Sequence, residues 1–331
     1  MSPECQLSID AIRKVFDDDN HNAFTDLCWF QDRIYLTFRS CPDGHGVFSS
    51  SWIVVLRSDD GGEWQQMFTF SVSDRDVRDP HFLEFNDTLF VYTGTWLCDP
   101  SAPGKRDMND HLGYGAWSTD GENWEGPRLL EGTYGHYVWR AAVCRDQAFL
   151  CGRRKREFAH DPGDGDAIEV RQGALLESDD GLVWKTAGLF TETYGNETAF
   201  LFEDDGSLLA LARGGGSRPA KVCRSRPPFS QWGRVTLDRN VGGPLLAKWG
   251  DRYLVGGRKT IDPQNPKTTL YWLADDELEE IAELPSGGDN SYPGFVPFSD
   301  SKGLLSYYSS HEVRESEGSP TSIYLADLSL K

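Results

Sequence analysis

Short apolar runs separated by polar turns recur along the chain, and the runs come in pairs. The clearest pair lies between Gly195 and Arg213. Glu197 precedes an apolar stretch from Ala199 to Phe202, Asp205-Gly206 supplies a turn, and Leu208 to Ala212 leads back to Arg213. Runs of this length bounded by Asp and Gly predict strands, and a hairpin returns to the side from which it started. Glu197 and Arg213 are therefore expected at the same end of one sheet. The plan recurs at Asp26–Arg39, Asp79–Trp96, Arg140–Arg153, Gly243–Arg258 and Tyr292–Ser309. With starts at 26, 79, 140, 197, 243 and 292, the six copies lie 46 to 61 residues apart.

A second hairpin follows each first one. Its best-defined turn reads Ser-x-Asp-Gly-x-x-Trp, at Ser58 to Trp64, Ser118 to Trp124 and Ser178 to Trp184. Ser225 to Trp232 is a stretched version, and Asp275-Asp276 holds the matching place in the fifth unit. Asp bonds backbone N–H groups, Gly takes the positive φ, and Trp covers the turn. These turns lack the ligand count and terminal Glu of a calcium loop, so they read as structural.

Two hairpins per unit make a four-stranded antiparallel sheet, and six such sheets around an axis make an all-β, six-bladed propeller. The last unit supplies Ser322 to Leu330 as a third strand but no fourth. Leu7 to Phe16 is an unassigned strand that can fill that place and leave the ring without an edge. The chain, 1–331, is then one domain. The longest interruption, Arg153 to Arg171, is charged and rich in Gly and Asp, which predicts a surface loop.

Composition narrows the partners. A net charge of −19 argues against nucleic acid and anionic membranes. No charged-then-apolar leader and no apolar run of membrane-spanning length is present, which favours the cytoplasm. Seven cysteines, with Cys28, Cys144 and Cys151 inside apolar strands, read as small hydrophobes rather than a disulfide framework. No His, Cys and Asp grouping shows ligand spacing, so neither metal nor cofactor is expected. Eleven Trp and twelve Tyr leave aromatics to stack on sugars. Oligomeric state is left open.

In a propeller the first strand of each blade lines the axis. Residues that begin these strands and residues that leave the second strands should share one face. That set contains Asp26, Arg78, Asp79, Arg140, Glu197, Gly243 and Tyr292, with Arg39, Arg213, Arg258 and Tyr307-Tyr308. An acidic protein that gathers arginines at one funnel is arranged to hold an anion. Structural ion pairs explain any one pair, but less well the whole set.

These residues resemble, in order, those of the sialidase (neuraminidase) superfamily, whose six-bladed propellers carry the same Asp-box turns. A Glu begins one blade (Glu197) and an Arg leaves it (Arg213). An Arg leaves the next (Arg258), and a Tyr begins the last (Tyr292). The resemblance implies Tyr292 as nucleophile, Glu197 as its base, and Arg213 and Arg258 as carboxylate binders. The whole chain is similar to bacterial proteins known only as sialidase-like. It departs from the pattern in blade one, where Thr25-Asp26 replaces the Arg-Ile-Pro of sialidases. Arg39, Arg78 or Arg140 could stand in for the missing arginine. The loop that carries an Asp general acid in sialidases here reads Arg39-Ser-Cys-Pro-Asp-Gly-His45, so His45 or Asp43 could donate the proton. A glycoside hydrolase acting on a terminal acidic sugar is expected. A lyase acting beside a uronate carboxylate, or a non-catalytic glycan-binding propeller, are the alternatives.

Overall fold

The computed structural model describes residues 6–102, 104–159, 168–312 and 320–331. Its strands form six four-stranded antiparallel sheets. Each sheet begins at an inner strand: His21–Phe30, Arg75–Phe85, Tyr137–Cys144, Thr198–Phe202, Gly242–Trp249 and Asn290–Ser299 for blades one to six. Each inner strand packs against those of the two neighbouring blades, so the six close a ring. Blades one to five run outward in chain order.

Blade six is the exception that closes the ring. Its strands run Asn290–Ser299, Lys302–Ser309, Ser322–Leu330 and then Leu7–Phe16. Leu7 pairs with Leu330, Arg13 with Leu325 and Phe16 with Ile323. Leu7, Ile9 and Ile12 pack on a core built around Trp249, Leu305 and Tyr324. The Arg13 guanidinium donates to both carboxylate oxygens of Asp327, at 3.1 and 3.0 Å. The expected closure of the ring by the N-terminal strand is what the structure has.

The repeated turns owe their shape to three groups. The Ser118 hydroxyl accepts the Gly121 N–H at 2.8 Å, and an Asp120 oxygen accepts those of Glu122 and Asn123 at 2.8 and 2.7 Å. Ser178 and Asp180 repeat these bonds. Gly61, Gly121 and Gly181 hold φ of +82°, +70° and +78°. Of the segment Arg153 to Arg171, residues 153–155 extend a strand, Arg171 begins the next, and 160–167 lie outside the described residues. Six described cysteines are unpaired, with Cys41, Cys151 and Cys223 buried. No helix among the described residues is long and apolar enough to cross a membrane.

Candidate active site

Five of the six inner strands carry the same irregularity. Two of their residues face one on the second strand: Phe24-Thr25, Asp79-Pro80, Trp139-Arg140, Gly243-Pro244 and Tyr292-Pro293. Such a bulge bends the strand and re-aims its side chains. The first bulge residue is left-handed at Phe24, Asp79, Gly243 and Tyr292, with φ of +64°, +54°, +55° and +51°. Outside glycine that conformation costs roughly 1–2 kcal/mol and gathers at functional sites. Pro follows in three blades, where its missing N–H leaves no donor unpaired. Blade four has no bulge. Glu197 sits just before its inner strand, and its carbonyl accepts the Arg213 N–H at 3.0 Å.

These devices converge on a cavity of about 180 Å³, bounded by Phe24, Asp79, Tyr137, Glu197 and Tyr292, with Arg78, Arg153 and His45. A groove of about 600 Å³ at Glu203 and Tyr253 is larger but lies at the opposite turns and holds none of the bulge residues.

Tyr292 and Glu197 meet across the ring. The Tyr292 hydroxyl donates to Glu197 Oε1 at 3.1 Å, and Arg213 Nη1 donates to Oε2 at 3.0 Å and lies 3.5 Å from the hydroxyl. Burial would raise the Glu197 carboxyl, yet the Arg213 and Arg153 guanidiniums hold it below its usual range. Burial, then the Glu197 charge, pushes the Tyr292 hydroxyl up. At neutral pH the pair is thus a phenol beside a carboxylate. Arg258 lies 5.5 Å from the centre of the Tyr292 ring. It donates to Asp289 Oδ1 at 2.8 Å and to the Asn290 carbonyl. Gly242 leaves room for both cations, since a Cβ there would lie 3.2 Å from Arg258 and 3.6 Å from Arg213.

Opposite stands a second tyrosine–carboxylate pair. The Tyr137 hydroxyl donates to Asp79 Oδ2, while Asp79 Oδ1 is buried with no partner. Burial raises the Asp79 carboxyl to about 6, Arg78 and Tyr137 opposing and the Glu197 charge adding. Arg78 donates to the His45 carbonyl at 2.9 Å and stacks on Phe24.

Three expected ligands are elsewhere. Arg39 is fully buried, donates twice to Asp76 Oδ1 at 3.0 and 2.8 Å, and anchors the loop at the Gly44 and Gly46 carbonyls. Arg140 crosses the axis to Asp26 Oδ1 at 3.0 Å and to the carbonyls of Pro244 and Pro293. Asp26 is occupied further by the Phe82 N–H and His81. Asp43 is exposed and bonded to Ser50, whereas His45 reaches the cavity.

The sequence reading omitted Tyr137, Arg153 and Asp289. Arg153 lies near the end of a second strand much as Arg258 does, and that was its signal. Asp289 draws His21 and His45 together, at 2.9 and 2.7 Å from its Oδ2. The three ligand atoms lie within 4.8 Å of one another, a grouping that the sequence spacing did not predict. Arg258 already balances this carboxylate and, with the imidazoles, holds it well below its usual range against burial.

No protein-family model and no curated protein matches the chain. Solved structures do. A protein of unknown function from Dyadobacter fermentans is 20% identical with a TM-score of 0.81, covering 98% of this chain and 99% of that one. Trypanosoma rangeli sialidase in complex with sialic acid is 12% identical with a TM-score of 0.67, covering 98% of this chain and 59% of that one. A mutant of NanB sialidase from Streptococcus pneumoniae is 12% identical with a TM-score of 0.69, covering 97% and 71%. The chain is a six-bladed propeller like these sialidase structures, and at these identities the likeness is one of fold alone.

Proposed function

We propose that the protein is an exo-acting glycoside hydrolase that removes a terminal acidic sugar of the sialic acid kind, and that it does so in the cytoplasm. The observation that carries this is the bond between the Tyr292 hydroxyl and Glu197 Oε1 inside an arginine-bearing cavity. Tyrosine is a poor nucleophile while protonated, and a neighbouring carboxylate can take its proton. A neutral nucleophile suits an anomeric carbon that bears a carboxylate, which would repel an anionic one; sialidases are the known exception to two-carboxylate catalysis. In this reading Arg213 and Arg258 hold the sugar carboxylate, and Tyr292 attacks the anomeric carbon as its proton passes to Glu197. His45 stands at the rim as the donor suggested by the sequence. The cavity is below the roughly 300–1,000 Å³ of pockets for drug-sized ligands. It suits the end unit of a chain.

The test is release of 4-methylumbelliferone from its α-glycoside of N-acetylneuraminic acid. Tyr292→Phe and Glu197→Gln should each lower turnover by about 100-fold or more with the fold retained. Arg213→Lys and Arg258→Lys should weaken binding, since each keeps charge but loses the two-pronged guanidinium. A Tyr292→Phe variant with full turnover would remove the nucleophile assignment. An ultraviolet-absorbing unsaturated product from a uronate-terminated oligosaccharide would identify a lyase instead.

A further inference from the structure

Two imidazoles converge on one carboxylate oxygen where the first blade meets the last. His21 begins the inner strand of blade one, His45 lies in the loop after its second strand, and Asp289 immediately precedes the inner strand of blade six. His21 Nε2 and His45 Nδ1 lie 2.9 and 2.7 Å from Asp289 Oδ2. The other oxygen, Oδ1, is already taken. Arg258 donates to it at 2.8 Å and the Tyr308 hydroxyl at 3.1 Å, while the Tyr308 oxygen accepts from Arg258 at 2.9 Å. These bonds fix the carboxylate and aim Oδ2 at the imidazoles. The loop is held as firmly. Arg39 donates to the Gly44 and Gly46 carbonyls, and Arg78 to the His45 carbonyl between them.

We propose that His21 Nε2, His45 Nδ1 and Asp289 Oδ2 bind a divalent transition-metal ion, zinc by preference. The inference is independent of the glycosidase reading, because the ion takes no step in that reaction. Two ring nitrogens and one carboxylate oxygen are donors that zinc accepts in three-ligand sites, where water fills the fourth position. Calcium and magnesium prefer oxygen throughout and are poorly served here. Arg258 and Tyr308 supply the outer-shell bonds that orient a ligating carboxylate.

The geometry needs little adjustment. The three ligand atoms lie within 4.8 Å of one another. A tetrahedral ion with bonds of about 2.0–2.1 Å sets its ligand atoms roughly 3.3 Å apart, so the cluster must open by about half an ångström. His21 is buried and fixed, but the His45 side chain is 56% exposed and can turn to admit the ion. Two features temper affinity. The Arg258 charge lies close to Asp289, and His21 Nδ1 has no acceptor to steady the ring. A dissociation constant in the micromolar range is therefore expected, weaker than that of a closed structural zinc site. The bound ion would cross-link blade one to blade six at the seam where the ring closes, and would brace the rim of the cavity beside Tyr292.

Calorimetric titration of the tag-free protein with zinc chloride tests this. One ion per chain is expected, with affinity lowered at least about 10-fold in His45→Ala and in Asp289→Asn. Zinc should raise the melting temperature of the wild type by a few degrees and leave that of His45→Ala unmoved, since binding to the folded state alone stabilises it. Asp289→Asn also disturbs Arg258, so His45→Ala, which removes a largely exposed ring, keeps the test decisive should the other variant misfold. Cobalt gives a direct view of the ligands. Its visible ligand-field bands should appear in the wild type and vanish in His45→Ala. No saturable zinc binding would overturn the proposal, as would binding that His45→Ala leaves intact. A thiolate-to-cobalt charge-transfer band would place the ion on cysteine instead, and calcium or magnesium competing as well as zinc would exclude a nitrogen-ligated site; either result refutes the assignment.

Discussion

A Cβ on Gly243 would lie 2.6 Å from two atoms of the Tyr292 ring, and the residue also holds a φ of +55°. Only glycine meets both demands. Gly243→Ala should cost roughly 2–4 kcal/mol, combining left-handed strain with overpacking. It should also push the phenol off Glu197, so turnover falls with the melting temperature. Calorimetry and the aryl glycoside assay check this; unchanged values for both would mean that the ring is not held here. The same scale shows why part of the site was legible in the sequence. Glu197 and Arg213 close a regular hairpin, so alternation placed them together. At Trp139-Arg140 and at Phe24-Thr25 a bulge breaks the two-residue period, and everything beyond it changes side. Arg140 and Asp26 were therefore expected in the cavity and pair with each other behind it. Arg39 was misjudged for another reason: its partner Asp76 belongs to the next blade. No local pattern reveals such a pairing.

Among elements, the N-terminal strand carries the clearest expectation. Without Leu7–Phe16, the strand Ser322–Leu330 becomes an unpaired edge, and the apolar contacts of Leu7, Ile9 and Ile12 are lost with the Arg13–Asp327 pair. An exposed edge rich in aliphatic residues invites pairing with other chains. Removal of residues 1–16 should therefore give aggregates by size-exclusion chromatography, and a monodisperse, fully folded product would contradict the closure argument. The blades themselves were legible because turn chemistry repeats: Ser118, Asp120 and Gly121 make the bonds that their spacing predicts.

At the scale of the whole molecule, buried histidines set the response to acid. His81 and His136 are lowered to about 4, each by burial first, and His21 and His111 are lowered as well. The folded state keeps these rings neutral, while the unfolded chain takes up protons below about 6.5. Stability is thus complete above that pH and falls between 6.5 and 4, by about 3 kcal/mol each for His81 and His136. Asp79, raised to about 6, works in the opposite sense and adds about 3 kcal/mol as pH falls from 6 to 4. One carboxyl does not outweigh four imidazoles, so denaturant unfolding at pH 7 and pH 4.5 should show a net loss on acidification. A midpoint that rises at pH 4.5 would contradict this. The Arg140–Asp26 crossing has a consequence of its own. With Arg140 bonded to blades one, five and six, and Trp139 packed 5.4 Å from the Tyr292 ring, the axis behind the cavity is plugged. A polymer threaded along the axis would have to displace this bonded guanidinium, so a ligand is expected to enter and leave on the cavity's own side of the ring. If the glycosidase reading holds, the leaving group would have to back out before the water that completes the cycle could come in.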